Sequence, residues 1–297
     1  MEFIRALIYY IFYGINWCMT LLPLSVLYLF SDLLYLLFYY FPSYRRKIVA
    51  TNLRNSFPEK TETELKSIEK KFYSHLADLF VETLKITHMN KAQRMKRCTV
   101  GNLEIIDKLL EEKRDIIAVL GHYNNWEWFT ILPKYTKYNC ITIYKPLQNK
   151  FFDRFIKDLR SKFDMVLTPM SGIIREIINK RKNEINTLSF FLSDQTPARG
   201  DIKYWTTFLN QDTPVYLGIE KVALKYDMAI VYFHIQKIKR GYYNINIELL
   251  FDHTVGLPEY LITETHVKRL EEIIREKPEY WLWSHRRWKH KRPVENE

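Results

Sequence analysis

Cysteine is scarce in this chain. Its 297 residues hold three, Cys18, Cys98 and Cys140, odd in number and widely spread. With no C-x-x-C pair there is no disulfide framework, and the expectation is a reducing compartment without structural zinc. No G-x-S-x-G elbow occurs, which argues against a serine hydrolase. No internal repeat and no low-complexity linker divide the chain. Acid is in deficit: 34 Asp and Glu face 45 Lys and Arg, a net charge of +11. That balance points to an acidic partner, whether a phospholipid surface, an acidic carrier protein, a phosphorylated substrate or nucleic acid. Formal charge is missing altogether from residues 6–31.

What is present supports a folded core. Hydrophobic residues make up 47% and aromatics 15%, which excludes general disorder. The length fits one large domain or two small ones. As one helix, residues 6–31 would extend about 39 Å, enough to cross ~30 Å of hydrocarbon with tilt. Pro23 would kink it, as membranes tolerate. A signal peptide fits less well, because the stretch is long and no small-residue cleavage site follows. A buried soluble helix is the other reading. Tyr9, Tyr10, Tyr13, Trp17, Tyr28, Tyr35, Tyr39 and Tyr40 resemble an interfacial belt. Asp32 interrupts, Leu33–Tyr44 is again uncharged, and Arg45-Arg46-Lys47 follows. The positive-inside rule then places the rest of the chain on the cytoplasmic side. The expected division is a membrane anchor at 1–44, a helix or helical hairpin, and an α/β domain at 45–297.

Ser43–Phe57 reads as a helix. Thr61 and Glu64 have capping-box spacing before a periodic run from Leu65 to Leu84. Glu82 in that run reads as a surface acid. From Thr99 the pattern alternates. Strands are expected at Ile116–Leu120, Asn139–Tyr144, Met165–Thr168, Thr187–Ser193, Ala229–Ile238 and Tyr243–Phe251. Helices are expected at Leu103–Lys113, Trp126–Lys134, Phe151–Lys162, Gly172–Lys182, Val215–Lys225 and Glu259–Glu276. This is an α/β pattern: a mainly parallel mixed sheet flanked by helices, closing on a hairpin that turns at Arg240-Gly241.

Ile116–Phe129 carries the chemistry. A buried strand ends at Gly121, His122 follows at once, and Glu127 begins the next apolar segment. Reaction sites of open α/β sheets lie at such strand exits. Five residues apart, the two side chains would point about 140° apart on one regular helix. With His122 on the loop and Glu127 on the first helical turn, the carboxylate can accept a hydrogen bond from one ring nitrogen. The other nitrogen is then free to act as a base. His-x4-acid occurs three times, also at His266/Glu271 and His290/Glu295, but only His122 follows a strand and a glycine. Other strand exits offer Lys145, Asp194 and Arg199; the two cations suit phosphate. His234, inside a strand, reads as packing. The tail from Pro278 to Arg292 mixes Trp with Lys and Arg and suits an anionic lipid interface or a phosphorylated ligand. A nucleic-acid role fits poorly with a chain that begins in a membrane.

As a set these residues resemble the bacterial lipid A biosynthesis acyltransferases of the lysophospholipid acyltransferase superfamily. Gly121-His122-Tyr123-Asn124-Asn125-Trp126-Glu127 looks like the family's G-H-x-x-N-W-E block. Asn52-Leu53…Phe57-Pro58, Asp194-Gln195 and Trp283-x-x-Arg286-Arg287-Trp288-Lys289 also match. The resemblance implies a glycerolipid acyltransferase-like fold and an acyl transfer with no metal, cofactor or acyl-enzyme. His122 would be the base and Glu127 its orienting acid. Asn125, Lys145, Arg160, Asp194, Gln195 and Arg199 would line the site or hold acidic groups. It also implies an acyl thioester donor on acyl carrier protein or coenzyme A, a saccharide lipid acceptor, and a place on the bacterial inner membrane facing the cytoplasm. The chain departs from the family at Lys145-Pro146, where Arg-Pro is usual, and at Asp164 and Asn210, where Gly is common. Alternatives are a lysophospholipid or aminoacyl lipid acceptor, a thioesterase, and a non-enzymatic protein binding anionic lipid.

Overall fold

A computed structural model of the chain describes residues 2–41 and 44–293. Proline decides its N-terminal architecture. Pro23, lacking an N–H and held at φ −65°, ends one helix and starts another. Of the two forms expected, one helix or a helical hairpin, the segment takes two helices, α1 (Glu2–Leu21) and α2 (Leu24–Tyr40). Among the described residues no helix is long and apolar enough to cross a membrane, so the expected membrane helix is corrected. α3 (Arg46–Ser56) follows; its expected start at Ser43 lies outside the described residues. α4 (Glu62–Ile86) opens with the reciprocal Thr61–Glu64 capping box. α2 packs along α4, where Ser31 donates to Asp78 (2.8 Å) and Arg240 pairs with both Asp78 and Asp32 (2.6 Å each). Asp32, which breaks the uncharged run, is thus a tether to the domain.

After α5 (Lys91–Arg97) come β1 (Cys98–Gly101), α6 (Leu103–Glu111), β2 (Ile116–Leu120) and β3 (Asn139–Tyr144). Then follow α7 (Lys150–Ser161), β4 (Val166–Pro169), α8 (Ile173–Lys182), β5 (Thr187–Leu192), β6 (Tyr204–Phe208) and β7 (Gln211–Val215). α9 (Gly218–Tyr226), β8 (Ala229–Lys239), β9 (Tyr242–Phe251) and α10 (Leu261–Glu276) complete the order. Seven strands form one sheet, β1-β9-β8-β2-β5-β3-β4. Every neighbouring pair is parallel except β8–β9, which turns at Arg240-Gly241 as expected, with Gly241 at φ 74°. All five residues of β2 are buried. Side chains alternate across a strand, so Ile117 and Val119 enter one core and Ile116, Ala118 and Leu120 the other. α1 stacks Tyr9 on Phe151 of α7, at 5.3 Å between ring centroids.

Two strands that the pattern did not reveal, β6 and β7, pair as a separate hairpin where a loop and the start of a helix were expected. Phe208 faces Gln211 around Leu209 and Asn210, at φ 50° and 59°. Two left-handed residues suit the twist of a tight hairpin. Asn adopts them readily, whereas Leu209 is strained there; it is fully buried and its N–H donates to Glu271 (2.8 Å). Asp164 also sits left-handed, at φ 70°, so both departures from Gly keep the backbone that Gly would give.

In the tail, Trp281 and Trp283 are buried in the core together with Arg287 and so are not free for a lipid interface, while Trp288 is half-buried against the same core. Asn52 of α3 donates to the carbonyls of Trp283 (2.9 Å) and His285 (3.0 Å), tying the tail down.

Burial pushes His234, His266 and His285 down to about 4. The unfolded chain therefore binds more protons than the folded one between about pH 6.5 and pH 4, and stability must fall as pH drops through that window. Neither ring nitrogen of His266 has a partner. His266→Leu is expected to remove up to about 1.4 kcal/mol per pH unit of that slope, read as a flatter unfolding midpoint against pH. An unchanged slope would assign the acid sensitivity elsewhere.

Candidate active site

β2 and β5 are parallel neighbours, and Leu120 lies opposite Leu192. Two residues beyond each partner stand His122 and Asp194, so the sheet register itself brings them together. Asp194 Oδ1 meets His122 Nδ1 at 2.6 Å, and its Oδ2 accepts the His122 backbone N–H at 2.8 Å. The indole N–H of Trp281 donates to the same Oδ2 at 2.8 Å. Burial opposes ionisation of Asp194, but electrostatic attraction to His122 and these three hydrogen bonds outweigh it and hold the carboxyl at about 2. A fixed carboxylate on Nδ1 leaves Nε2 with its lone pair outward. The Gln195 amide nitrogen stands 3.1 Å from Nε2, on the exposed side. Gly121 lets Asp194 come this close: a Cβ there would lie 3.3 Å from Asp194 Oδ2 and 2.8 Å from Leu270.

Glu127 is elsewhere. The helix expected at Trp126–Lys134 is present with those bounds as a 3-10 helix containing Pro133. Both Glu127 oxygens are taken by Arg160 of α7, in a fork of 3.1 and 2.5 Å. The expectation that Glu127 orients His122 is corrected: Asp194 holds that position. The reason is geometric. Asn124 is left-handed at φ 51°, and the turn after it leads Glu127 back into the fold, where its side chain is only 8% exposed. His122 packs its ring edge-on to Trp126 instead, at 4.9 Å.

Asn125 is fully buried and lies inside this turn rather than on a ligand-facing surface. Its amide nitrogen donates to Glu82 and its oxygen accepts the Glu127 N–H. Lys145 and Arg199 are exposed, and neither bonds to the group around His122. Sequence reasoning missed three residues. Trp281 reaches Asp194 only because the tail folds back, with Asn124 N–H donating to the Tyr280 carbonyl at 2.9 Å. Arg94 is wholly buried behind the Glu127 turn and donates to Thr130 (2.8 Å); burial lowers it to about 10. Glu82 is buried, not a surface acid. The one available signal for Glu82 and Arg94 is charge within otherwise apolar periodicity.

A small cavity of about 30 Å³ adjoins the Glu127–Arg160 fork, walled by Leu120, Trp126, Phe129 and Phe190. A larger groove of about 500 Å³ between α3 and α4 includes none of these residues.

A strand-exit imidazole backed by a buried carboxylate is a general-base arrangement. The profile of one family, bacterial lipid A biosynthesis acyltransferase, matches residues 2–290. The chain belongs to that family. It is thus an acyltransferase, and its acceptor is a lipid. Comparison with curated proteins gives no significant match. Within this acyltransferase the G-H-x-x-N-W-E block has divided work: its His faces outward, and its Asn and Glu build the wall behind.

Proposed function

We propose that this acyltransferase moves a fatty acyl chain from a thioester, on acyl carrier protein or coenzyme A, to a hydroxyl of a lipid A-type saccharide lipid at the cytoplasmic face of the bacterial inner membrane. The observation that carries the reaction is the outward-facing Nε2 of His122, backed by the short Asp194 hydrogen bond and met on the exposed side by Gln195 alone among the described residues. Nε2 takes the proton of the acceptor hydroxyl as its oxygen attacks the thioester carbonyl. Asp194 stabilises the imidazolium so formed. The carbon–sulfur bond then breaks, and the thiolate leaves with the proton from Nε2. Gln195 is displaced by the acceptor. Glu127 keeps Arg160 in place rather than touching the base. The net charge of +11 suits an acidic carrier and anionic lipid.

The outer faces of α1 and α2 support a place on the membrane. Leu7, Ile8, Ile11, Leu29, Leu33 and Leu37 are exposed there. An apolar patch of that kind marks an interaction surface and suits contact with lipid. One experiment tests the reading. Purified protein is mixed with an acyl thioester and vesicles carrying a saccharide lipid, a lysophospholipid or an aminoacyl lipid. The expected result is flotation with the vesicles and a saccharide lipid heavier by one acyl chain. Acylation of another acceptor alone would reassign the substrate. Folded protein that acylates none would overturn the reading.

A further inference from the structure

Glu82 of α4 is 1% exposed, yet three donors from three other parts of the chain converge on its carboxylate. The Tyr28 hydroxyl from α2 reaches Oε1 at 2.8 Å, and the Tyr243 hydroxyl from β9 reaches Oε2 at 2.7 Å. The Asn125 amide nitrogen reaches Oε2 at 2.9 Å. An asparagine amide carries donors at one end and an acceptor at the other. With its nitrogen turned to Glu82, its oxygen must face the other way, where it accepts the Glu127 N–H at 3.3 Å. A flipped amide would set oxygen against carboxylate and leave the Glu127 N–H unmet, both costly in a buried turn. Two hydrogen bonds therefore separate Glu82 from the backbone of the residue that forks with Arg160.

We propose that Glu82 is a positioning residue: its carboxylate fixes the direction of the Asn125 amide and, through it, the turn that runs from His122 to Glu127 and sets the fork with Arg160. The role rests on the His122 loop being the site of acyl transfer. Glu82 touches neither the base nor a substrate position, so its effect is on turnover rather than on substrate binding.

Exchanging the two groups tests this. Asn125→Asp alone places two carboxylates together and is expected to lower kcat about 100-fold, the effect of a small misplacement near the chemistry. KM for the donor is expected to change little. Adding Glu82→Gln to Asn125→Asp restores the hydrogen bond with donor and acceptor reversed, gives the second amide N–H to the Tyr243 hydroxyl oxygen, and leaves an aspartate oxygen for the Glu127 N–H. The double variant is expected to recover at least about tenfold in kcat over Asn125→Asp. A purely structural part would show as a lowered unfolding midpoint with kcat intact at temperatures where the variant is folded. An active natural enzyme whose double variant is no better than Asn125→Asp, or an Asn125→Asp variant as active as the natural chain, would overturn the positioning role. A natural chain inactive on every acceptor would overturn the reading beneath it as well.

Discussion

His122→Ala is expected to lower acyl transfer by about 10³-fold or more, the scale on which a positioned base acts, while leaving folding and flotation with vesicles intact. Asp194→Asn should come close to it. An asparagine amide can turn a donor to Nδ1, favouring the tautomer whose Nε2 carries the proton and cannot accept one. The pH profile separates the two members. With its carboxyl held at about 2, Asp194 stays ionised throughout any practical assay, so an acid limb in the rate belongs to another group. Asp194 also stabilises the fold above the ordinary carboxylate range. That part is lost only as pH falls from about 4 towards 2, because the unfolded chain then binds the proton first. Full activity in His122→Ala would end the general-base reading.

Arg160→Leu has the second large effect. It strips from Glu127 its forked ion-pair partner; the Glu127 side chain is 8% exposed and that of Arg160 25%. Breaking a buried pair from one side costs about 3–5 kcal/mol. The exposure of Arg160 lets water relieve some of that, so about 3 kcal/mol is expected in a denaturant titration. Adding Glu127→Leu should recover most of the loss, because no charge is left unpaired, yet should not recover acyl transfer if the fork shapes the site. If Glu127 instead served His122 directly, Arg160→Leu would keep activity wherever the protein stayed folded. That outcome would contradict the corrected arrangement.

Much of this molecule was legible in its sequence. The uninterrupted, β-branched apolar run Ile116–Leu120 reads as a strand covered on both faces, and the His122 exit follows from it. Thr61 and Glu64 announce α4 because capping is local chemistry. What sequence pattern cannot carry is strand order. Thr187–Ser193 reads as a strand, one residue longer than β5, and Asp194 stands out at its exit, but nothing local says that this strand lies beside β2 while β3 lies one further out. The partner of His122 was therefore sought five residues away rather than 72. Glu82 was misread for a related reason: helical spacing cannot tell a solvent face from one sealed by Tyr28 and Tyr243. The hairpin of β6 and β7 hid because Leu209 is an unexpected residue for a left-handed turn.

The Leu120–Leu192 rung has a consequence for how such enzymes can vary. Base and carboxylate are spaced by hydrogen-bonded backbone, not by the length of chain joining them. Outside Trp126, the Glu127–Arg160 fork and the paired strand β3, the segments strung between the two strands can lengthen, shorten or be rebuilt for a new acceptor without retuning the pair. A one-residue insertion inside either strand would instead turn one group to the opposite side of the sheet. Diversity in this scaffold is free to accumulate in the connecting segments, and the rungs themselves are where it must stop.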